Sequence, residues 1–272
     1  MDLNKYTQEM AKSIWDKAFF MDKIIGAKCV IDFGCADGAM IRALSVMFPE
    51  IEFWGFDIND ELIDMAWKAH NENLPKNDNI RFFRAHRTSE FTEDSFTDML
   101  RIAKHTFYNH EICLNFSCVL HEVFSSSPEG KETIKRLITE LKPKYITIRD
   151  MYYNGSDGNF TYKSMCDIIK KFNIDERYIE EFETANNTSI LTKKGFLHFL
   201  MKYQWKDNDW EQELKEDYFS WTLYDFFQLT GPYYQILFEA HYLLPYYAEK
   251  WKDIGILPTT DHTHAQFILR RI

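Results

Sequence analysis

The chain has 272 residues, 45% hydrophobic and 17% aromatic, with ten Gly and seven Pro; that is enough apolar surface for a full-sized core and excludes a mini-protein, a collagenous chain and a disordered tail. Lys plus Arg number 32 against 42 Asp plus Glu, a net charge of −10, which opposes attraction to a polyanion and excludes a DNA-coating protein. With no stretch of eighteen apolar residues, the sequence predicts a soluble protein with no membrane partner.

The first 25 residues lack the apolar run and small-residue cleavage site of a signal peptide, so a cytoplasmic location is the default expectation. A helix is predicted from about Tyr6 to Ile25, packing Trp15, Phe19 and Phe20 against the rest of the chain. From 28 to 150, short β-branched or apolar runs alternate with segments of helical period, the pattern of a parallel sheet with helices on both faces. The strands fall at Lys28 to Phe33, Glu52 to Asp57, Ile80 to Arg84, Glu111 to Ser117 and Tyr145 to Asp150. Met40, Ile41, Leu44, Met47 and Phe48 repeat at helical spacing, as do Ile134, Leu137, Ile138 and Leu141, the latter behind a Ser127-Pro128 cap.

After Asp150 the rhythm breaks at the turn-rich run from Asn154 to Asn159, and a helical insertion is expected over 151–215. Strand signals return at Tyr234 to Leu243 and in the C-terminal HAQFILRRI, with a short helix around Tyr246 to Asp253 between them, which suggests an antiparallel finish to the sheet. The expected fold is therefore α/β: a doubly wound, mostly parallel, seven-stranded sheet with an antiparallel last strand, made from 1–150 and 216–272, plus the insertion. Five cysteines with no C-x-x-C pair are expected to be reduced and structural.

The densest chemical signal is VIDFGCADGAMIRAL, Val30 to Leu44. A buried strand ends near an acid, turns through small residues and enters an amphipathic helix, which lets a ligand approach the backbone at the helix start. Gly34, Ala36 and Gly38 leave that space open, and Asp32 can accept hydrogen bonds from a ligand amine. The second strand ends at Asp57, nineteen residues beyond Gly38, the separation of a carboxylate that accepts from a ribose diol.

On these residues the chain resembles the class I S-adenosylmethionine-dependent methyltransferases, over about 1–150 and, more weakly, 218–272. The resemblance implies S-adenosylmethionine as cofactor: Asp32, Gly34, Cys35, Ala36 and Gly38 along its methionine and sulfonium part, Asp57 on the ribose hydroxyls, Ile58 along the adenine, and Ser117 near the methyl group. The family's middle glycine is Ala36 here, and no residue among Arg84, Ala85 and His86 matches its binder of the adenine amino group. A nicotinamide or flavin dinucleotide fits less well, because its fingerprint would read Gly34, Ala36, Ala39 and its pyrophosphate would face Asp32 and Asp37.

The exit of the fourth strand places Asn115, Ser117, His121 and Glu122 at the ligand edge of the sheet. His121 is the candidate catalytic base, since an imidazole titrates near working pH; the alternative is a histidine that caps a helix or bonds a carbonyl. Glu122 is the weaker candidate, and Arg149 and Asp150 either position substrate or pair with each other. His121, Glu122, His262 and His264 lack a metal-ligand spacing, so no metal is expected.

In the insertion, Phe196, Phe199, Leu200, Tyr203, Trp205 and Trp210 supply enough aromatic surface for a lid that excludes water. Beside Lys202 and Lys206 they could instead stack RNA bases, although 207–217 is mainly acidic. The motifs that mark base-amine and cytosine C5 methylation are absent. The implied activity is methyl transfer to a hydroxyl, carboxyl or amine of a small-molecule acceptor, with an RNA ribose or terminal group, or a non-catalytic scaffold, as alternatives; oligomeric state is left open.

Overall fold

The computed structural model describes residues 13–72, 78–85, 95–126, 128–155, 162–207, 210–252 and 261–272. Seven strands form one sheet: β1 (Cys29–Phe33), β2 (Glu52–Asp57), β3 (Ile80–Arg84), β4 (Ile112–Ser117), β5 (Tyr145–Met151), β6 (Tyr234–Tyr242) and β7 (His264–Arg271). Their order is β3-β2-β1-β4-β5-β7-β6, parallel except that β7 runs antiparallel to both β5 and β6. The expected α/β sheet with an antiparallel last strand is therefore present. Strand limits agree with the sequence reading to within a residue for β1 to β5.

The central strands are buried on both faces, so they read as continuous apolar runs rather than alternating ones. Along β1 the side chains nevertheless divide by the period of two. Ile31 and Phe33 join Leu114, Phe116, Ile146 and Ile148 in one core, covered by α4 (Phe96–Thr106) and α6 (Pro128–Leu141). Val30 joins Phe53, Phe82, Cys113 and Tyr145 in the other, covered by α2 (Ala39–Met47) and α3 (Asp60–Glu72). The helices earn their positions by pattern: Ile134, Leu137, Ile138 and Leu141 form the buried stripe of α6.

Two expectations are corrected at the N-terminus. Instead of a helix reaching Ile25, α1 spans only Ile14–Lys17, and tight turns follow, with Met21 N–H on Ala18 C=O, Lys23 N–H on Phe20 C=O and Gly26 at φ +79°. These turns bury Phe20 in the second core and leave Trp15 66% exposed. Residues 6–12, Ser127, 156–159 of the hinge and Asp253 lie outside the described residues.

Beyond β5 the chain forms α7 (Tyr162–Lys171), α8 (Glu176–Asn186), α9 (Lys193–Tyr203) and α10 (Trp210–Glu213) before α5 (Leu120–Ser126), earlier in sequence, is met by the segment leading to α11 (Leu223–Thr230). Met165, Ile168, Phe182, Phe196 and Phe199 build a third core that also takes Tyr247 and Trp251 of α12 (Pro245–Trp251). A buried ion pair, Lys193 Nζ to Asp261 Oδ1 at 2.5 Å, ties the start of α9 to the approach to β7. The aromatic residues of α9 are thus largely core: Phe196 and Phe199 are fully enclosed. All five cysteines are free thiols.

Gly55 shows how closely the second core meets the sheet. A Cβ there would lie 2.7 Å from Cys35 Sγ and 2.8 Å from both Ile41 Cδ1 and Phe82 Cδ1. Gly55→Ala should lower stability by about 1–3 kcal/mol through overpacking, read as a lower urea midpoint at unchanged slope; an unchanged midpoint would contradict this packing.

Candidate functional site

The chain leaves β1 for β2 on one side of the sheet and later enters β4 on the other, so the carboxyl ends of β1 and β4 border a topological switch point, where open α/β sheets bind ligands. Asp32 pairs in register with Asn115 on β4 and Gly55 on β2. A small cleft lies there, lined by Gly34 to Asp37, Ala39 and Met40, by Asp32, by Ser117 and Cys118, and by Ile14 and Lys17 of α1.

The turn is pinned from outside. Gly34 and Cys35 N–H both donate to Phe56 C=O, and Ala36 N–H donates to Asp57 Oδ2 at 2.8 Å. Gly34 and Gly38 take φ of +79° and +70°, for which glycine is suited. Ala36 also sits at φ +48°, which places a side chain in the left-handed region at a cost of order 1 kcal/mol. Asp37 caps α2 through Ala39 N–H and pairs with Arg42, so it is turned toward its own helix.

Asp32 is buried and accepts a 2.7 Å hydrogen bond from Asn115 Nδ2; Asn115 Oδ1 accepts in turn from Thr147 Oγ1 at 2.7 Å. Burial pushes the Asp32 carboxyl up to about 6, against the opposing pull of Asn115 and Lys17. Ser117 Oγ, in the same cleft lining, is buried and has no hydrogen-bond partner among the described residues. A carboxylate held out of water and an unsatisfied hydroxyl, both at the cleft, fit a ligand that brings positive charge and polar atoms.

Asp57 is mostly buried, and burial raises its carboxyl above the ordinary range while the N–H groups of Asn59, Ala36 and Ile58 draw it down. Its two oxygens take Ala36 N–H and Asn59 N–H, so it braces the turn and retains a lone pair on each oxygen. Ile58 follows it at the surface, 79% exposed. Cys35 is buried against the sheet, and burial raises its thiol well above the usual range.

His121, the candidate base, is paired with a carboxylate. Its Nδ1 lies 2.7 Å from Asp150 Oδ1, in full burial. Burial works against charge on the ring, but the Asp150 carboxylate outweighs it through charge and hydrogen bond and holds the imidazole up at about 10. The pairing favours the charged imidazolium, with Nδ1 engaged by Asp150. Asp150 also collects the N–H groups of Val119, Leu120 and His121 on Oδ2 and of Met151 on Oδ1, which fixes the start of α5. Glu122 stands at the rim, where its protein surroundings push the carboxyl up to about 7 against the opposing charge of His121.

Arg149 does not pair with Asp150, because neighbours on a strand face opposite sides of the sheet; it pairs with Asp16 of α1. His262 meets Asn154 at 2.8 Å and His264 meets Thr263 at 2.8 Å; among the described residues no three His, Cys, Asp or Glu side chains are grouped to hold a metal ion. Sequence reasoning missed Lys17 and Ile14 in the cleft wall, since nothing in a lone Lys near an N-terminus marks it.

No family model matches the chain. Among solved structures it is similar to the methyltransferase domain of bacterial CtHen1-CN, with TM-score 0.47 and 14% identity over 99% of this chain and 100% of that one. It is similar also to magnesium protoporphyrin IX methyltransferase (ChlM) from Synechocystis PCC 6803 with bound SAH, at 0.48 and 10% over 100% and 86%, and to mitomycin 7-O-methyltransferase MmcR, at 0.49 and 12% over 97% and 54%. At this level of likeness any reading of function rests on the site itself.

Because Asp32 has a folded pKa of about 6 against an ordinary 3.8, the folded chain holds a proton between those values that the unfolded chain has lost. Stability contributed by this group falls as pH rises through that window. Asp32→Asn should therefore gain on the wild type by up to roughly 3 kcal/mol between pH 4 and pH 7.5, measured by urea unfolding at both; a pH-independent difference would refute the burial of a carboxylate here.

Proposed function

We propose that the chain is an S-adenosylmethionine-dependent methyltransferase acting on a hydroxyl, carboxyl or amine of a small-molecule acceptor. The observation that carries this reading is the pairing of a small-residue turn at the switch point with a buried carboxylate, Asp32, that has no fixed cation of its own at hydrogen-bond distance among the contacts resolved. A sulfonium and an ammonium suit such a wall, whereas a pyrophosphate would meet Asp32 and Asp37 and be repelled.

In this reading Asp32, Gly34, Cys35, Ala36 and Gly38 line the amino-acid and sulfonium part of the cofactor. Asp57 uses its remaining lone pairs for the ribose hydroxyls, Ile58 covers the adenine, and Ser117 offers its unsatisfied hydroxyl at the methyl end. The cofactor supplies an activated methyl group, while the protein supplies orientation and a dry site. His121, charged and locked to Asp150, positions α5 at the rim rather than accepting a proton. The stretch just after the helical segment 151–215 closes the acceptor side: Tyr218 packs edge-on to the His121 ring, and Ser220 Oγ donates to His121 C=O.

The rim disfavours a polyanionic acceptor such as RNA. Glu122, beside His121, is close enough to Glu216 for the two carboxyls to act on each other in a chain of net charge −10, and such a field repels phosphates.

Calorimetric titration should show micromolar binding of S-adenosylmethionine and S-adenosylhomocysteine and none of a nicotinamide dinucleotide. Asp57→Ala should cost about 1.5–3 kcal/mol of that binding. A folded protein that binds neither sulfur nucleoside would overturn the proposal, and unchanged affinity in Asp57→Ala would remove Asp57 from the ribose.

A further inference from the structure

We infer that a hollow on the opposite edge of the sheet binds the terminal phosphates of a polyphosphate compound. The amino ends of β4 and β5 and the carboxyl end of β7 meet there. Lys144 N–H donates to the Asn109 and Ile112 carbonyls at 3.1 and 3.0 Å, and Arg270 stands in register with Tyr145. The hollow, of about 330 Å³, has Asn109, His110, Lys142, Lys144, Arg270 and Arg271 in its lining. β5 is seven residues long, so about 20 Å of strand separates this hollow from the cleft at the other edge.

Four cations share the hollow, and no acidic side chain lines it. The acids nearest in sequence are engaged elsewhere. Glu111 pairs with Lys28 at 2.5 Å and accepts the Tyr108 N–H at 2.9 Å, while Glu140 is held by Lys104 and Arg136. The contacts of the cluster are with neutral groups: Lys144 Nζ donates to Ile25 C=O at 2.9 Å and lies over the Tyr145 ring, and Arg271 Nη1 donates to Lys142 C=O at 3.1 Å. The end of α6, at Leu141, supplies only about half a negative charge. In a chain of net charge −10 the cluster is thus a local reversal of the field, and such a field concentrates anions.

The compactness of the cluster selects the ligand. Guanidinium forks and ammonium groups converging on one hollow match an anion with several charges on neighbouring oxygens, as a terminal polyphosphate presents. A lone carboxylate or a bridging pyrophosphate brings too little charge. An extended polyanion needs a long positive track, and away from the hollow the acidic excess of the chain opposes one. Beside the hollow the Tyr108 ring lies parallel to that of His110, with centroids 5.5 Å apart, and Tyr108 is exposed. A nucleobase attached to the phosphates has a surface there on which to stack.

Calorimetry of the whole chain with inorganic triphosphate and with ATP, both free of divalent metal, tests this. Triphosphate should bind at micromolar concentration. Lys142→Glu and Arg270→Glu, both at exposed positions, should each weaken it about ten- to a hundredfold, and Asp57→Ala, at the other edge, should leave it unchanged. Tighter binding of ATP, with the difference lost in Tyr108→Ala, would identify a nucleotide as the source of the phosphates; equal binding would identify the inorganic chain. Three results overturn the inference: no binding of either compound, affinity unaffected by the two charge reversals in folded protein, or tighter binding of a glutamate decapeptide or a single-stranded RNA that the same reversals abolish.

Discussion

The site depends on a carboxylate kept out of water. Asp32 ends β1 at the point where the sheet reverses its winding, and its single resolved side-chain hydrogen bond comes from a neutral amide, Asn115, itself oriented by Thr147. A hydrogen-bonded but uncompensated charge raises the energy of the empty site, and a cationic ligand lowers it. The relay has a packing logic too. Asp32, Asn115 and Thr147 occupy the same face of three adjacent strands and are matched in register, Asp32 to Asn115 and Asn115 to Thr147, so their polar atoms meet side by side above the apolar layer formed by Val30, Cys113 and Tyr145.

The neighbouring residues Arg149 and Asp150 of β5 extend this order to both sides of the sheet. The first gathers Asp16, Tyr242 and Cys118 on the cleft face; the second gathers His121 and the backbone N–H groups that open α5 on the other. Each is a buried charge with a partner and further hydrogen bonds, the condition under which a buried ion is tolerated. Because the two residues are adjacent on one strand, the geometry of the cleft wall and that of the start of α5 are fixed relative to each other by a single peptide unit.

Much of the sheet was legible in the sequence, because apolar runs such as Cys29–Phe33 and Ile112–Ser117 end in polar residues at the ligand edge and alternate with amphipathic helices. The turn was legible for the same reason: Gly34 and Gly38 do take the positive φ that glycine permits. What escaped was decided by distant partners. The predicted helix to Ile25 stops at Lys17, and Trp15 points to solvent, because α1 is positioned by contacts with β5, β6 and β7, more than a hundred residues away. His121 reads as a titrating base until Asp150 is placed beside it. Lys17 has no local pattern at all; only the fold brings it opposite Asp32.

The most direct measurement is a crystal structure grown with saturating S-adenosylhomocysteine. The account predicts density across the carboxyl ends of β1 and β2, with the ribose hydroxyls on Asp57 and the ammonium toward Asp32. Ordered ligand elsewhere on the molecule, or an empty cleft in crystals of protein saturated with the nucleoside, would contradict it.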